Sequence, residues 1–400
     1  MPSGAPAINR TAFTVLLAAA MAVATFAGPA FAVLARFVID ELALTRAEFG
    51  WIVASFSTAG ALASPAIGRL TDSIGGRKAL AALFILGGLG MLSIASSPTY
   101  AWLIAAAVLA GLGQAFGNPG TNKLISVHIP IGRRGVITGW KQSGVQAGVF
   151  LAGMLLPAGA LAWGWRPTMA IAGAISLLTV GVVGFVVPHD PPRAPAPKIS
   201  RRLIWSAPIL WLTLYGFLMG AAGGAVNTYL PLYGEEGLGL SVAVAGSVAG
   251  LAGLVAFFSR VLWARHSEKG ARYIRSLILI AALSVVFTGA LLAASEWGSW
   301  LLWVGALGLG ASSTSWNSVG MLALMVYARV DQAGGASGVV LLGFLAGLGL
   351  GPPAFGWSVD RFDTYGPGLC GVLAVFLTAS ALALSWRRST NRRGAESVVA

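Results

Sequence analysis

Gly68-Arg69-Leu70-Thr71-Asp72-Ser73-Ile74-Gly75-Gly76-Arg77-Lys78 separates two apolar runs, 47–70 and 79–97. Each run is about 20 residues long, enough to cross a ~30 Å hydrocarbon core as a helix. The loop between them is a compact charged turn: an acid at a helix end, a glycine turn, then a basic cluster. A hairpin of this kind belongs in a membrane.

Working outward, ten more such runs appear. The first half of the chain holds 12–36, 47–70, 79–97, 100–124, 135–158 and 166–187. The second holds 205–232, 241–264, 273–295, 299–327, 335–357 and 367–386. The first run is too long for a cleaved leader and reads as a spanning helix. Composition agrees. Of 400 residues, 56% are hydrophobic and 10% charged, against about 25% charged in a soluble domain. The 54 glycines would weaken helices in water. In a bilayer the backbone cannot exchange its hydrogen bonds for water, so helices persist, and small residues let them pack closely. The expected architecture is all-α and polytopic: an N-terminal half at 1–187, a proline-rich cytoplasmic linker at 188–204, a C-terminal half at 205–390 and a basic tail at 391–400.

The net charge of +13 does not indicate nucleic acid, because the basic residues are scattered in short loops. Arg69, Arg77, Lys78, Arg133, Arg134, Arg265, Lys269, Arg329, Arg387 and Arg388 fall on one side and Arg36, Arg46, Arg166 and Arg361 on the other. This bias puts both termini in the cytoplasm and the basic tail against anionic lipid headgroups. A single cysteine, Cys370, excludes a disulfide framework.

The halves echo one another. Gly139, Gly144 and Gly148 recur as Gly338, Gly343 and Gly347, Gly111-Leu112-Gly113 recurs as Gly308-Leu309-Gly310, and Arg69 to Asp72 matches Arg265 to Glu268. Twelve spans in two pseudo-symmetric six-helix halves with a central linker, together with the Gly68–Lys78 loop, resemble the major facilitator superfamily over essentially the whole chain. The resemblance implies a monomeric secondary carrier that needs no cofactor, with a substrate site where the halves meet, alternating access, and proton symport as the default coupling. It makes Gly68, Asp72, Gly75, Arg77 and Lys78 gating residues, the acid holding the cytoplasmic side closed. Ser73 and Gly76 stand where the pattern has basic residues. The drug exporters of the family carry an Arg where this chain has Ala107 and a Gly-Pro pair where the fifth run has its glycine ladder. Both departures weigh against the rival reading, an exporter of amphipathic compounds. A membrane enzyme or sensor is disfavoured, since His128, His189 and His266 have no acidic company, there is no phosphate-binding loop, and no segment is long enough for an output domain.

Polar residues inside the spans carry the rest. Gln114, Asn118 and Asn122 fall at i, i+4 and i+8 and share one helix face, as do Thr138, Gln142 and Gln146. Lys141 lies beside the second stripe, and its repeat counterparts are apolar: Val340 answers Lys141 and Leu341 answers Gln142. In the second half Asn227, Tyr229, Trp316 and Asn317 complete the candidate lining, while Arg260 is expected to pair with Glu268. Competing readings are a snorkelling lysine for Lys141 and Lys123, interhelical glue for the amides, and packing for Trp316. The charges at membrane depth are the cations Lys141, Lys123 and Arg260. The acids Asp40, Glu41, Asp72, Glu235, Glu236, Glu268, Glu296 and Asp331 lie at span ends. A cation lined by amides suits a small organic anion, a carboxylate above all.

Overall fold

A computed structural model describes residues 9–130, 134–188, 206–269, 272–327 and 333–399. The expected linker beyond Pro188, together with Arg133, Arg329 and Asp331, lies outside them. Among the described residues eleven helices are long and apolar enough to cross a membrane, and every regular element is helical. By their contacts the residues form two units, 1–44 with 55–198, and 45–54 with 199–400.

The first unit holds α1 (Arg10–Leu42), most of α2 (Arg46–Ile74), α3 (Gly76–Ala95), α4 (Tyr100–Ala115), α5 (Gly117–His128), α6 (Arg134–Trp163) and α7 (Trp165–Val186). Local chemistry sets several starts. The Asn9 side chain accepts from Ala12 N at 3.1 Å, capping α1, and the Thr99 hydroxyl accepts from Trp102 N at 3.3 Å, capping α4. On α7 the exposed residues Ile171, Ile175, Leu178, Val182 and Phe185 are all apolar, the mark of a lipid-facing stripe.

The second unit holds α8 (Ala207–Leu232), ending in a π turn at Tyr233–Gly237, then α9 (Val242–Glu268), α10 (Tyr273–Trp297), α11 (Trp300–Ala311), α12 (Trp316–Tyr327), α13 (Ala333–Phe362) and α14 (Gly366–Val399). The tenth apolar run is therefore two short helices and not one, separated by a 3₁₀ turn at Ser313–Ser315. The cause is local. The hydroxyls of Ser312, Ser313 and Thr314 bond back to the carbonyls of Gly308, Leu309 and Gly310 at 2.7, 3.0 and 2.6 Å. Such back-bonding bends helices.

The glycine ladder does the same work in both units. A Cβ on Gly144 would collide with the Ala18 carbonyl oxygen, so α6 crosses α1 backbone to backbone. A Cβ on Gly347 would collide with the carbonyl of Phe217, and one on Gly351 with that of Ala221, where α13 crosses α8. The Gly-Leu-Gly echo, however, is out of register. A Cβ on Gly111 would meet the Phe56 carbonyl on α2, and the residue in the same position of the second unit is Gly310, against the Ala252 carbonyl on α9. Gly308 instead faces the Phe287 ring on α10. The 199-residue offset that relates Gly139 to Gly338 thus holds here too. It also places the interruption at Phe116, between α4 and α5, opposite Ser315.

The first turn of α2 is held unusually well. Thr45 and Glu48 form a capping box, the Glu48 carboxylate accepting from Thr45 N at 2.9 Å and the Thr45 hydroxyl from Glu48 N at 3.1 Å. Asp360 on α13 accepts from the next two backbone donors, Arg46 N at 2.9 Å and Ala47 N at 2.8 Å. The Arg46 guanidinium bonds Glu236 at 3.0 Å, and the Tyr365 hydroxyl donates to the same carboxylate at 2.6 Å. Burial and then that hydrogen bond push the Tyr365 hydroxyl well above its ordinary value, so it stays a donor. Asp360→Ala removes two bonds from orphan helix donors and is expected to destabilise by about 1 kcal/mol, read as a lower midpoint in a thermal ramp of the purified protein.

Candidate functional site

α5 begins immediately after the interruption at Phe116, where the backbone switches to a tighter bond, Phe116 N to Gly113 O at 3.2 Å. Gly117, Gly120, Thr121, Leu124 and Ile125 turn inward. Asn118, Asn122 and Ser126, spaced by four, turn outward and are exposed. On a lipid-facing helix such a stripe would be apolar, as on α7. A polar exposed stripe on a helix that belongs to a candidate span marks a wet surface.

Lys141 on α6 reaches into this stripe. Its side chain is 1% exposed. The ammonium donates to Asn118 Oδ1 at 3.0 Å and to Asn122 Oδ1 at 2.7 Å. It does not run along the helix to the interface as a snorkelling lysine does. Arg134 holds the two helices in this register, donating from the start of α6 to the Ile129 and Ser126 carbonyls at the end of α5, at 2.8 and 2.6 Å. Among the described residues no carboxylate contacts Lys141. Three other cations of this unit do have one: Lys123 meets Asp72 at 3.2 Å, Arg166 meets Glu41 at 2.6 Å, and Arg36 meets Asp40 at 3.7 Å. Taking an ion out of water costs several kcal/mol even after relaxation, and here neutral amides alone offset it.

The remaining candidates divide. Gln114 lies one turn before Asn118 but packs against α2, its side-chain oxygen filling the space a Cβ on Gly60 would need. Gln142 is exposed and Gln146 is 7% exposed; neither bonds to Lys141. In the second unit Asn227 is exposed and Asn317 half-buried. Asn317 occupies the repeat position of Asn118. Tyr229 is no open lining residue: it is 1% exposed, its hydroxyl donates to the Arg46 carbonyl, and its ring stacks on Phe355 at 5.0 Å. Trp316 is 2% exposed and wedged between Tyr215 and Phe344, at 6.0 and 5.2 Å, so it is a packing residue at the start of α12.

The gating candidates also shift. Asp72 pairs with Lys123 on α5, so that lysine is anchored by a carboxylate and does not simply snorkel. Arg77 donates to the Gly184 carbonyl at 2.7 Å, capping the end of α7. Gly75 takes φ 89°, a turn that favours glycine, Gly68 has open space around it, and Lys78 is exposed. Gly76 has a physical reason for not being basic: a Cβ there would lie 2.7 Å from the Leu124 side chain, so α3 starts tight against α5. Arg260 is not paired with Glu268; its Nε donates to the Thr314 carbonyl at 3.2 Å, beside the break in the tenth run.

The sequence puts Asn122 on the amide stripe, and the structure brings it onto Lys141 together with Asn118. Its spacing of four from Asn118 was the available signal. The Arg46, Glu236, Asp360 and Tyr365 cluster was missed altogether, since its members are spread over some 320 residues of chain. A cavity of about 490 Å3 lies beside it, lined by Arg46, Tyr233, Glu236, Ser295, Asp363 and Tyr365 among others. Its acids outnumber its one arginine, so it does not suit an anion. Among the described residues no group of three His, Cys, Asp or Glu side chains is placed to hold a metal ion.

The Major Facilitator Superfamily model matches residues 15–352. A hexuronate transporter of Bacillus subtilis is 24% identical over 88% of this chain and 89% of its own length. A probable nitrate/nitrite transporter of Mycobacterium tuberculosis is 29% identical over 85% of this chain and 87% of its own. Among solved structures, a bacterial homolog of the human lysosomal transporter Spinster, in an inward-facing and occupied conformation, superposes with a TM-score of 0.80 at 18% identity, covering 96% of this chain and 98% of that one.

Proposed function

Because this chain belongs to the Major Facilitator Superfamily, we propose that it is a secondary transporter that carries a small organic anion, a carboxylate, through the membrane by alternating access, with Lys141 as the residue that binds the charge. One observation carries the reading: a buried ammonium on a candidate spanning helix, 1% exposed and met by two amide oxygens, on an exposed polar stripe. An anion arriving there makes charge-assisted bonds and neutralises a charge the fold leaves uncompensated. The hexuronate and nitrate/nitrite transporters among the relatives both have anionic substrates in their names, which favours the same class.

The Arg-poor ends of the helices are consistent with an outward face. Of the four arginines there, Arg36, Arg46 and Arg166 are neutralised by Asp40, Glu236 and Glu41, and Arg361 lies over the Phe362 ring at 6.0 Å. The Arg-rich ends and both termini then face the cytoplasm of a plasma membrane.

Entry of a monoanion against an inside-negative potential costs about 2.3 kcal/mol per 100 mV, so a proton enters with it. Purified protein in liposomes, given labelled glucuronate or lactate, tests both parts. Accumulation is expected, and an inward proton gradient is expected to raise it severalfold. Uptake unchanged by the gradient would replace symport with exchange or facilitated diffusion. Expulsion of cationic dyes without accumulation of either anion would overturn the substrate class.

A further inference from the structure

Lys141 determines how the two asparagines on α5 are oriented. An ammonium has donors and no acceptor, so each amide must present Oδ1 to it. That fixes both amides oxygen-inward, whatever ambiguity an amide normally carries. The consequence lies on the other side. Among the described residues neither the Asn118 nor the Asn122 NH2 group donates to anything, and both residues are exposed while Lys141 is buried. The ammonium has a third hydrogen beyond the two bonded at 3.0 and 2.7 Å.

We infer that Asn118 and Asn122 are substrate ligands in their own right, held by Lys141 as outward-facing N–H donors that select an oxyanion over a neutral hydroxylated solute. The three side chains turn mainly donors outward, since each amide oxygen faces the ammonium. A carboxylate or nitrate group accepts and does not donate, so every contact is complementary. A sugar hydroxyl carries no charge for the ammonium and spends part of its hydrogen bonding as a donor, so its bonds to this surface are the weaker, neutral kind. The two asparagines are one helical turn apart, about 6 Å. A single planar oxyanion can therefore bridge them over the ammonium. The ammonium in turn polarises both amides, strengthening their outward N–H groups. This assignment rests on Lys141 being the anion site.

Isothermal titration of the purified full chain with D-glucuronate and nitrate, and with D-glucose as the neutral match, tests it on four variants. Asn118→Asp and Asn122→Asp keep the shape but place a carboxylate on the ammonium and remove the donors. Both are expected to weaken glucuronate at least about tenfold while leaving the unliganded thermal midpoint no lower, since a carboxylate now pairs Lys141. Asn122→Ser keeps an acceptor for Lys141 but removes the amide N–H. It is expected to weaken glucuronate about threefold to tenfold, so a failure of the Asp variants to fold still leaves a reading. Lys141→Met is the fourth. Glucose is expected to give no heat on the wild type. If the asparagine variants all bind glucuronate like the wild type while Lys141→Met does not, the amides are mere supports and the inference falls while the anion site stands. If Lys141→Met also binds normally, if glucose binds as tightly as glucuronate, or if the wild type binds neither anion, the anion site itself falls and the inference with it.

Discussion

Lys141→Met is expected to cut glucuronate uptake about a hundredfold or more without loss of folded protein. The two halves of that statement come from the same physics. Removing one partner of a buried, hydrogen-bonded charge contact costs about 2–5 kcal/mol, and each 1.4 kcal/mol is tenfold. In the unliganded protein the balance reverses. Lys141 is buried with no carboxylate among the described residues, and replacing an uncompensated buried ion by an apolar side chain of similar length is neutral or stabilising. Asn118 and Asn122 lose a donor, but both are exposed and can turn to water. Uptake in liposomes and a thermal ramp on the same preparation check this. A variant that is both inactive and less stable would make Lys141 a structural strut.

Gly144→Leu is expected to abolish the folded protein. The α1–α6 crossing brings the Ala18 carbonyl into the space a Cβ would occupy, and Gly148 continues the contact, its Cβ position 3.2 Å from the Ala22 carbonyl. An isobutyl group there forces two backbones apart along a seam that orients Lys141. Overpacking costs about 1–3 kcal/mol where side chains can give way, and a carbonyl oxygen in a helix cannot move aside as a side chain can. Gly347→Leu should behave alike, against the Phe217 carbonyl. The matched control is Gly139→Leu, in the same ladder but with open space around it. Size-exclusion of detergent-solubilised protein is expected to show a monodisperse peak for Gly139→Leu and none for Gly144→Leu.

These glycines show what a sequence makes readable. Spans and the glycine ladder follow from solvent and geometry acting on single helices, and both were legible. Three features were not. The tenth run breaks because hydroxyls bond back to their own helix, a choice that hydropathy does not register. The Gly-Leu-Gly echo matched by letters pairs the wrong glycines, because register is set by which neighbour each glycine faces, Phe56 for Gly111 and Ala252 for Gly310. Partners were the hardest. Asp72 found Lys123 and Arg260 found the Thr314 carbonyl, neither implied by sequence distance. At the candidate site the amide stripe was visible by its periodicity and the lysine by its absence from the other half, where Val340 stands. That Lys141 uses Asn122 as well as Asn118, and not Gln142 beside it, depended on the crossing of α5 and α6.

The central claim is that the positive charge of Lys141 binds the transported anion. Equilibrium binding of labelled glucuronate to purified wild type and Lys141→Met, at matched folded fractions, tests it most directly. Saturable binding to the wild type that is at least about a hundredfold weaker in the variant is the predicted result. Equal affinity in the two proteins would contradict it.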